Sequence, residues 1–428
     1  MPAGVLGLPK PHERGSLKIA LISFEYPPAV AIGGIGTYAR MASRMLANHG
    51  HTVCVYAAGH DQSVEQPLPN LKVQRVTALN RRAFSAALLP FLLSDHRQHP
   101  FDVIEAPEIG PEGIDAFTAL PAVARVVKLH TPGFLIGRNT FDPLSIFERL
   151  RFLIGSWRRG HWQSLNHAAY VRSADQEFHC ARLADEIAAP SQSIADLVSK
   201  EWALDPAKVH VYPLPFQATE ALLELPVPDT LRTIGFLGRL EARKGIIELV
   251  NAIPEILRQA PGLRFRFIGP SWHYQKTDMK SWIESRLKHH LASVDFTGGV
   301  QPDQIPGELA RCDVLILPSR WENFPFACWE ALASGRAVIG SSAGGMAEVI
   351  QHGVSGLLIP PRSPRAIIDA VLSFKATPRK IPAFGAAGRA RVRQLLAVER
   401  ILPLQLASYQ RAIHQAALRN SCQPSAAL

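Results

Sequence analysis

The chain has 428 residues, 47% of them hydrophobic and 19% charged, and 46 Lys and Arg against 36 Asp and Glu give a formal charge of +10. This composition excludes global disorder, because it supplies enough apolar material for a large core, and the length suggests two to three domains. It also excludes a membrane-spanning helix. The longest apolar stretch, Ala83 to Leu93, contains Pro90 and has about half of the roughly 20 residues that a span needs.

The five cysteines are scattered and form no CxxC pair, so neither a disulfide framework nor a zinc site is expected. Cys54 and Cys312 lie beside apolar runs and are predicted to be small core residues. The N-terminus shows no signal-peptide pattern, and we expect a cytoplasmic protein. From Arg362 onward, 11 basic residues stand against 2 acidic ones, which favours a solvated helix face or an anionic surface over nucleic acid.

Short apolar runs alternate with helical patterns along the whole chain, which predicts an α/β fold with parallel strands covered by helices. In the first half the predicted strands are Ile19 to Phe24, Val53 to Tyr56, Val103 to Ile104, Val126 to Leu129, Ile187 to Ala189 and Val209 to Tyr212. In the second half they are Thr233 to Leu237, Phe265 to Ile268, Val294 to Thr297, Val314 to Leu317, Ala337 to Gly340 and Leu357 to Ile359.

A linker is predicted between the two halves, because Pro213 to Pro228 carries four prolines and no strand or helix period. We therefore expect two Rossmann-like domains that face each other across a cleft. The predicted boundaries are residues 1–215 for the first domain, 216–230 for the linker, 231–400 for the second domain and 401–428 for a C-terminal helix and tail. The helix is expected to cross back to the first domain. Ligands of open α/β sheets bind at the carboxyl ends of strands, which places the expected site in the cleft.

Glycine-rich and basic segments follow the first strand of each half. Gly33-Gly34-Ile35-Gly36 precedes a predicted helix from Thr37 to Asn48, and such a turn allows close approach to a phosphate or is simply a tight turn. The second half has Gly238-Arg239-Leu240-Glu241-Ala242-Arg243-Lys244-Gly245 in the equivalent place. The segment is either a solvated helix start or a site for an anion such as a diphosphate, and cations at the start of a helix are unfavourable without such an anion.

The most specific motif is Glu322-Asn323-Phe324-Pro325-Phe326-Ala327-Cys328-Trp329-Glu330, after the strand Val314 to Leu317. Pro325 suits a first helical position, which leaves Glu322 in a loop and Glu330 inside the helix, both bordering the cleft. Two carboxylates that accept hydroxyl hydrogen bonds suit a sugar-bearing ligand; the alternative is a surface carboxylate and a helix-cap carboxylate without a ligand.

Two further signals follow predicted strands. Gly344-Gly345-Met346-Ala347-Glu348 again permits close approach of the backbone to a ligand. His130 ends the strand Val126 to Leu129, where it faces a ligand or has only a structural role. The sequence contains no DxD, Asp175-Gln176-Glu177 is interpreted as a solvated helix face, and no metal site is expected at His289-His290.

In combination, the early glycine pair, GRL…KG, the E-x7-E array and GGMAEVIQHGVSGLL resemble glycosyltransferase family 4, whose members are retaining enzymes of the GT-B fold. The resemblance implies transfer of a sugar from a nucleotide-diphosphate sugar to a glycan, glycolipid or other glycoconjugate, without a metal or a cofactor. The leaving diphosphate then helps to deprotonate the acceptor, so no protein nucleophile is required.

The resemblance also implies roles for individual residues. Arg239 and Lys244 would hold the donor diphosphate and stabilise its developing charge. Glu330 would bind the ribose, and Glu322 would contact the donor sugar. The remaining donor-site residues implied are Gly34, Phe324, Pro325 and Phe326, and His130 would contact the transferred sugar. We therefore expect His130, Glu322, Arg239 and Lys244 to be catalytic.

One departure from the family pattern is Glu322-Asn323-Phe324-Pro325, where many members have Glu-Gly-Phe-Gly. The loss of both glycines changes the space beside the donor sugar. The acceptor site is expected on the N-terminal half. There Ile146 to Arg172 mixes tryptophans with arginines, so it is either a helix pair on an anionic membrane that carries a lipid-linked acceptor or a hairpin packed on the core.

Three other functions compete with the transferase. A nucleotide-sugar 2-epimerase would use two similar halves without any acceptor. A non-catalytic partner of an active transferase would have lost the charged site residues, which are intact here. A NAD-dependent oxidoreductase fits poorly, because no GxGxxG precedes an acidic residue at a suitable distance.

Overall fold

The computed structural model describes residues 15–30, 33–140, 146–158, 170–274 and 277–422. The N-terminal half forms an eight-stranded sheet in the order β3-β4-β2-β1-β5-β6-β7-β8, parallel except for the β3–β4 pair. Its strands are β1 Lys18–Ser23, β2 Thr52–Ala58, β3 Ser63–Leu68, β4 Leu71–Val76, β5 Val103–Pro107, β6 Ala124–Lys128, β7 Glu186–Ala189 and β8 Val209–Val211.

Helices cover this sheet, and several begin at the side-chain caps that polar residues provide. Asn80, Asp175 and Ser191 accept hydrogen bonds from first-turn amides of their helices. The helices of this half are α1 Gly34–Asn48, α2 Arg81–Ala87, α3 Leu89–Gln98, α4 Ile114–Ala119, α5 Gly133–Thr140, α6 Ile146–Arg158, α7 Gln176–Leu183 and α8 Gln192–Trp202, and α9 Glu220–Leu223 lies in the connection to the other half. Short 3-10 turns occupy Arg172–Ala174 and Pro206–Lys208.

The C-terminal half has a parallel six-stranded sheet in the order β13-β10-β9-β14-β15-β16 and a small β11–β12 hairpin. Its strands are β9 Thr233–Leu237, β10 Arg264–Ile268, β11 His273–Tyr274, β12 Thr277–Asp278, β13 Val294–Gly298, β14 Val314–Leu317, β15 Ala337–Ser341 and β16 Gly356–Ile359. Its helices are α10 Ile246–Gln259, α11 Met279–Arg286, α12 Ile305–Leu309, α13 Phe326–Ala333, α14 Met346–Val349, α15 Pro364–Ala376, α16 Lys380–Leu396 and α17 Val398–Ser421. Short 3-10 turns occupy Ala242–Lys244, Leu291–Ser293 and Pro302–Gln304.

The prediction of two parallel-sheet, Rossmann-like units is confirmed, and every predicted strand overlaps an observed one. The hairpin of β3 and β4 was missed. Its edge strand, SVEQPL, is mostly exposed and has no apolar run, while β4 carries Arg75 between buried residues. Arg75 is 2% exposed, which is tolerated because it donates to Glu65 and to the carbonyls of Tyr26 and Pro27.

Three local interpretations need correction. The first helix begins at Gly34 rather than Thr37, because Gly33 is the extended N-cap residue. The proline-rich connection contains one helical turn, α9, which Thr219 caps. Glu177 is not on a solvated face, because its carboxylate accepts hydrogen bonds from the amides of Gly110 and Gly133.

The last helix, α17, packs against β6 and β7 of the N-terminal sheet although it follows the C-terminal sheet in the chain. Gln405 and Tyr409 of this helix reach Glu105. Ion pairs between α17 and the N-terminal sheet region neutralise part of the basic excess after Arg362, since Arg411 pairs with Glu186 and Arg419 pairs with Asp185. Within the described ranges, none of the helices has the length and hydropathy that a membrane span requires.

Candidate active site

A cleft of about 1260 Å³ lies between the two halves, at the carboxyl ends of their strands. Its lining includes every residue that the sequence predicted for the site: Gly34, His130, Arg239, Lys244, Glu322, Phe324, Pro325, Phe326 and Glu330. The structure therefore brings these residues, which come from four separate segments, to one cavity.

Lys244 and Glu322 form an ion pair on the C-terminal wall, with Nζ and Oε1 2.5 Å apart. The backbone turn that places Lys244 there requires Gly245, which has φ +76° and lies so close to the Pro318 carbonyl that a Cβ would be 2.0 Å from its oxygen. Ser319 donates a second hydrogen bond to the same Glu322 oxygen at 2.9 Å. Burial opposes ionisation of Glu322, but Lys244 and Arg243 outweigh it and lower the pKa of this carboxyl.

Two arginines flank this pair and share the carboxylate of Glu241. Arg243 donates to Glu241 at 2.8 Å and approaches Glu322 at 4.0 Å, while Arg239 lies 3.4 Å from Glu241. The guanidinium of Arg239 also lies over the indole of Trp272, 5.3 Å from its ring centre. Three cations therefore line this part of the cleft with two carboxylates among them, which leaves an excess of positive charge for an anionic ligand.

Glu330 lies in the second turn of α13, while Phe326 and Ala327 in the first turn have amides without intrahelical partners. Pro325 is the N-cap residue of this helix rather than its first helical residue. Burial raises the pKa of Glu330 to about 7, because no cation offsets the loss of water around its carboxyl. Glu330 is therefore a hydrogen-bonding group whose charge responds to pH near neutrality.

His130 follows β6 on the opposite wall and is 8% exposed. Its amide donates to both carboxylate oxygens of Glu108, at 2.9 and 2.8 Å, and its ring meets the Tyr38 ring edge-on at 5.3 Å. Burial, with the charges of Lys128 and Arg81, lowers the pKa of His130 to about 3. The imidazole is therefore neutral at physiological pH.

The glycine-rich turn touches the other half of the molecule. A Cβ on Gly34 would lie 3.2 Å from the ring of Phe326, so a larger residue would push the walls apart. Nearby, Arg81 bridges the carboxylates of Glu25 and Glu112, and both Arg81 and Glu25 line the cleft. The other Glu25 oxygen, Oε2, is buried with no hydrogen-bond partner among the described residues.

Two family descriptions match consecutive parts of the chain: "Glycosyltransferase Family 4" over residues 32–217 and "Glycosyl transferases group 1" over residues 231–376. The chain belongs to glycosyltransferase family 4. An uncharacterized glycosyltransferase of Methanocaldococcus jannaschii is 26% identical over 378 residues, covering 83% of this chain and 89% of the relative. A glycogen synthase of Mycobacterium tuberculosis is 25% identical, with 88% and 90% covered.

Solved structures agree with this family 4 assignment at the level of the fold. Sucrose-phosphate synthase from Thermosynechococcus elongatus has a TM-score of 0.67 at 20% identity, covering 95% of this chain and 98% of that structure. HepE from Anabaena in complex with UDP-glucose has a TM-score of 0.62 at 17% identity, with 95% and 100% covered. The chain is thus a glycosyltransferase of the GT-B fold.

The residues of this glycosyltransferase's cleft that were not assigned to the site from the sequence include Glu25, Arg81, Arg243 and Asn323. Arg243 and Asn323 stand inside the quoted motifs, but spacing does not show which motif side chains turn toward the cavity. Glu25 precedes Tyr26-Pro27-Pro28 in the opening pattern, whereas Arg81 has no local signal, because it reaches the cleft only through its pairs with Glu25 and Glu112. No cluster of three metal-ligating side chains occurs among the residues that the structure describes.

Proposed function

We propose that this glycosyltransferase transfers a sugar, with retention, from a nucleotide-diphosphate sugar to a glycan, glycolipid or other glycoconjugate acceptor. The proposal depends on one observation above all: cations, carboxylates and a neutral imidazole line the same cleft. They are Arg239, Arg243, Lys244, Glu322, Glu330 and His130. Structures of similar fold include one in complex with UDP-glucose and one bound to ADP and acarbose, which supports a nucleotide-sugar donor.

The donor diphosphate lies, in this proposal, against Arg239, Arg243 and Lys244. An arginine fork matches two phosphate oxygens, and the lysine adds a point charge. These cations stabilise the negative charge that develops on the leaving diphosphate, which is the task that a metal ion performs in other transferases. The reaction accordingly needs no metal and no cofactor besides the donor.

The carboxylates select the sugar parts of the donor. Glu330 accepts hydrogen bonds from the ribose hydroxyls, and Glu322 accepts from the hydroxyls of the transferred sugar. The backbone amides of Phe324 and Phe326 are available to the same sugar, whereas Pro325 has no N–H to offer. Glu322 has to give up its pair with Lys244 when the diphosphate binds.

His130 contacts the transferred sugar from the opposite wall. Because its imidazole is neutral, it accepts or donates a hydrogen bond without adding a second positive charge beside an oxocarbenium-like centre. The acceptor enters on the N-terminal side, next to Glu25 and Arg81, and the leaving diphosphate helps to remove the proton of its hydroxyl. The protein supplies no covalent nucleophile.

We expect one nucleotide sugar among UDP-, GDP- and ADP-sugars to raise the melting temperature of the purified protein in EDTA, and to be hydrolysed slowly. Glu330→Ala should lose this stabilisation, because two hydroxyl hydrogen bonds are removed. Glu255→Ala serves as a control, since Glu255 lies on α10 of the same half, pairs with Arg258 and does not line the cleft.

Each outcome of this screen is informative. If the donor binds only after a divalent metal is added, the metal-independent mechanism is wrong. Release of a C2 epimer without an acceptor would make the enzyme a 2-epimerase. If no donor binds, the protein is a non-catalytic partner of another transferase or uses a different donor.

We further propose that α6 contacts an anionic membrane and brings the enzyme to a lipid-linked acceptor. Leu150, Ile154 and Trp157, which are spaced for one helix face, are 52%, 52% and 70% exposed, and Arg151 and Arg158 are also exposed. Residues 159–169, the rest of the predicted helix pair, lie outside the described residues.

The membrane proposal predicts that the protein floats with vesicles of phosphatidylcholine and phosphatidylglycerol but not with phosphatidylcholine alone. Trp157→Asp should abolish flotation, since it places a charge in the apolar face. Leu79→Asp should not, although Leu79 is 97% exposed, because it lies outside this helix. Equal flotation of both variants, or none of the wild type, would reject the contact.

A further inference from the structure

The Asn323 side chain joins the two halves of the enzyme at the edge of the cleft. Its amide nitrogen donates to the His130 carbonyl and, at 3.4 Å, to the Leu129 carbonyl. Its amide oxygen accepts from the Ser191 hydroxyl at 2.8 Å. Asn323 is 5% exposed, so both ends of the amide exchange water for partners on the N-terminal half.

Contacts with Gly345 hold the loop that carries Asn323 in place. The Gly345 amide donates to the Glu322 carbonyl at 2.7 Å, and a Cβ on Gly345 would be 1.8 Å from the Asn323 carbonyl oxygen. Only glycine therefore allows this close approach. Since the loop cannot retreat, the position of the Asn323 amide is set by the C-terminal sheet.

A second contact, made by Glu348, also joins the two halves. The two carboxylate oxygens of Glu348 accept from the amides of Gln192 and Ser193, both at 2.9 Å, at the start of α8. A carboxylate is favourable at a helix N-terminus, where it meets unpaired amides and the positive end of the dipole. Asn323 and Glu348 thus hold the ends of β6 and β7 against one piece of the C-terminal half.

The contact acts directly on the peptide of His130. On one side the His130 amide donates to Glu108, and on the other its carbonyl accepts from Asn323 and from the Thr131 hydroxyl at 2.7 Å. A glycine at position 323 would remove the only one of these contacts that comes from the donor-binding half. The departure from the Glu-Gly-Phe-Gly pattern therefore creates a link between the donor wall and the histidine opposite.

We propose that Asn323 is a positioning residue: it holds His130 in register with the donor site across the domain boundary, and together with Glu348 it keeps the cleft closed before the donor binds. The inference rests on the proposed function for the role of His130, but the contact itself is independent of any substrate. Asn323 acts through His130 and need not touch the reacting atoms.

Asn323→Gly tests the proposal most directly. We expect kcat for donor hydrolysis or transfer to fall about tenfold, with the donor KM changed by less than about threefold, because orientation rather than donor binding is lost. Hydrogen exchange at residues 129–131 and 191–194 should speed up, and the radius of gyration from X-ray scattering should increase. Ser193→Ala is the control, since its backbone amide rather than its hydroxyl contacts Glu348.

Unchanged exchange at 129–131 and an unchanged kcat in Asn323→Gly would overturn the proposal. A rise of the donor KM with kcat unchanged would also count against it, because that pattern indicates lost donor binding rather than lost orientation. If Asn323→Gly fails to fold, Asn323→Ala is measured instead, since it removes the same side-chain amide without the added backbone freedom of glycine. Exchange and scattering need no donor, so failure of the proposed function would not be mistaken for failure of the interdomain contact.

Discussion

Lys244→Ala is expected to lower donor turnover by about 10³-fold, the largest effect of any single substitution in the cleft. Lys244 is the cation that pairs with Glu322, and in the proposed reaction its ammonium group pairs with the leaving diphosphate instead. The measurement is the steady-state rate of donor hydrolysis and of transfer to an acceptor. Lys280→Ala, a change of an exposed lysine on the same half, should leave both rates unchanged.

Stability and turnover should respond differently to this substitution. Glu322 is left buried with Arg243 4.0 Å away as its remaining cationic partner, so the variant should also melt at a lower temperature. Lys244→Gln, which restores a donor but not the charge, should recover part of the melting temperature and little of the rate. A Lys244→Ala enzyme that keeps its turnover within threefold would mean that the diphosphate binds elsewhere.

His130→Ala is expected to reduce transfer about 10²-fold and to change the donor KM little, since the imidazole is proposed to act on the sugar during reaction. His273→Ala is the matched control, because His273 also lines the cleft but lies in the β11–β12 hairpin of the other half. Equal losses in the two variants would show that any histidine change disturbs the cleft, and would remove the special role of His130.

The pH profile separates His130 from Glu330. Because the pKa of His130 is lowered to about 3, its protonation should not limit the rate between pH 5 and 9. The pKa of Glu330 is raised to about 7, so kcat/KM for the donor should fall as the pH drops through that value and Glu330 loses its charge. This acid limb should disappear in Glu330→Gln and persist in His130→Ala.

The sequence predicted the position of site residues correctly where these residues follow the ends of parallel strands. The buried runs of β9 and β14 mark their own ends, so Arg239, Lys244 and Glu322 could be assigned to one edge before any fold was known. The same reasoning reached His130 after β6. Parallel topology brings these ends together whatever the intervening chain does.

The sequence failed where a side chain is satisfied by a distant partner. Glu177 has the sequence surroundings of a surface residue, but in the fold its carboxylate accepts hydrogen bonds from the Gly110 and Gly133 amides. Arg75 interrupts the apolar pattern of β4, and it can be buried because Glu65 compensates its charge. In the sequence, Asn323 stands out only because it replaces the glycine of the family pattern. Its amide partners lie 132 and 193 residues away in the chain, and no local pattern records them.

The crossing of α17 to the N-terminal sheet affects how the polypeptide is made. Glu105 is 1% exposed, and its partners Gln405 and Tyr409 follow it by 300 and 304 residues. While the nascent chain is shorter than that, this carboxylate lacks two of its hydrogen-bond donors, and the apolar surface of β5 to β7 lies open to water. The first half to leave the ribosome is therefore the last to be completed.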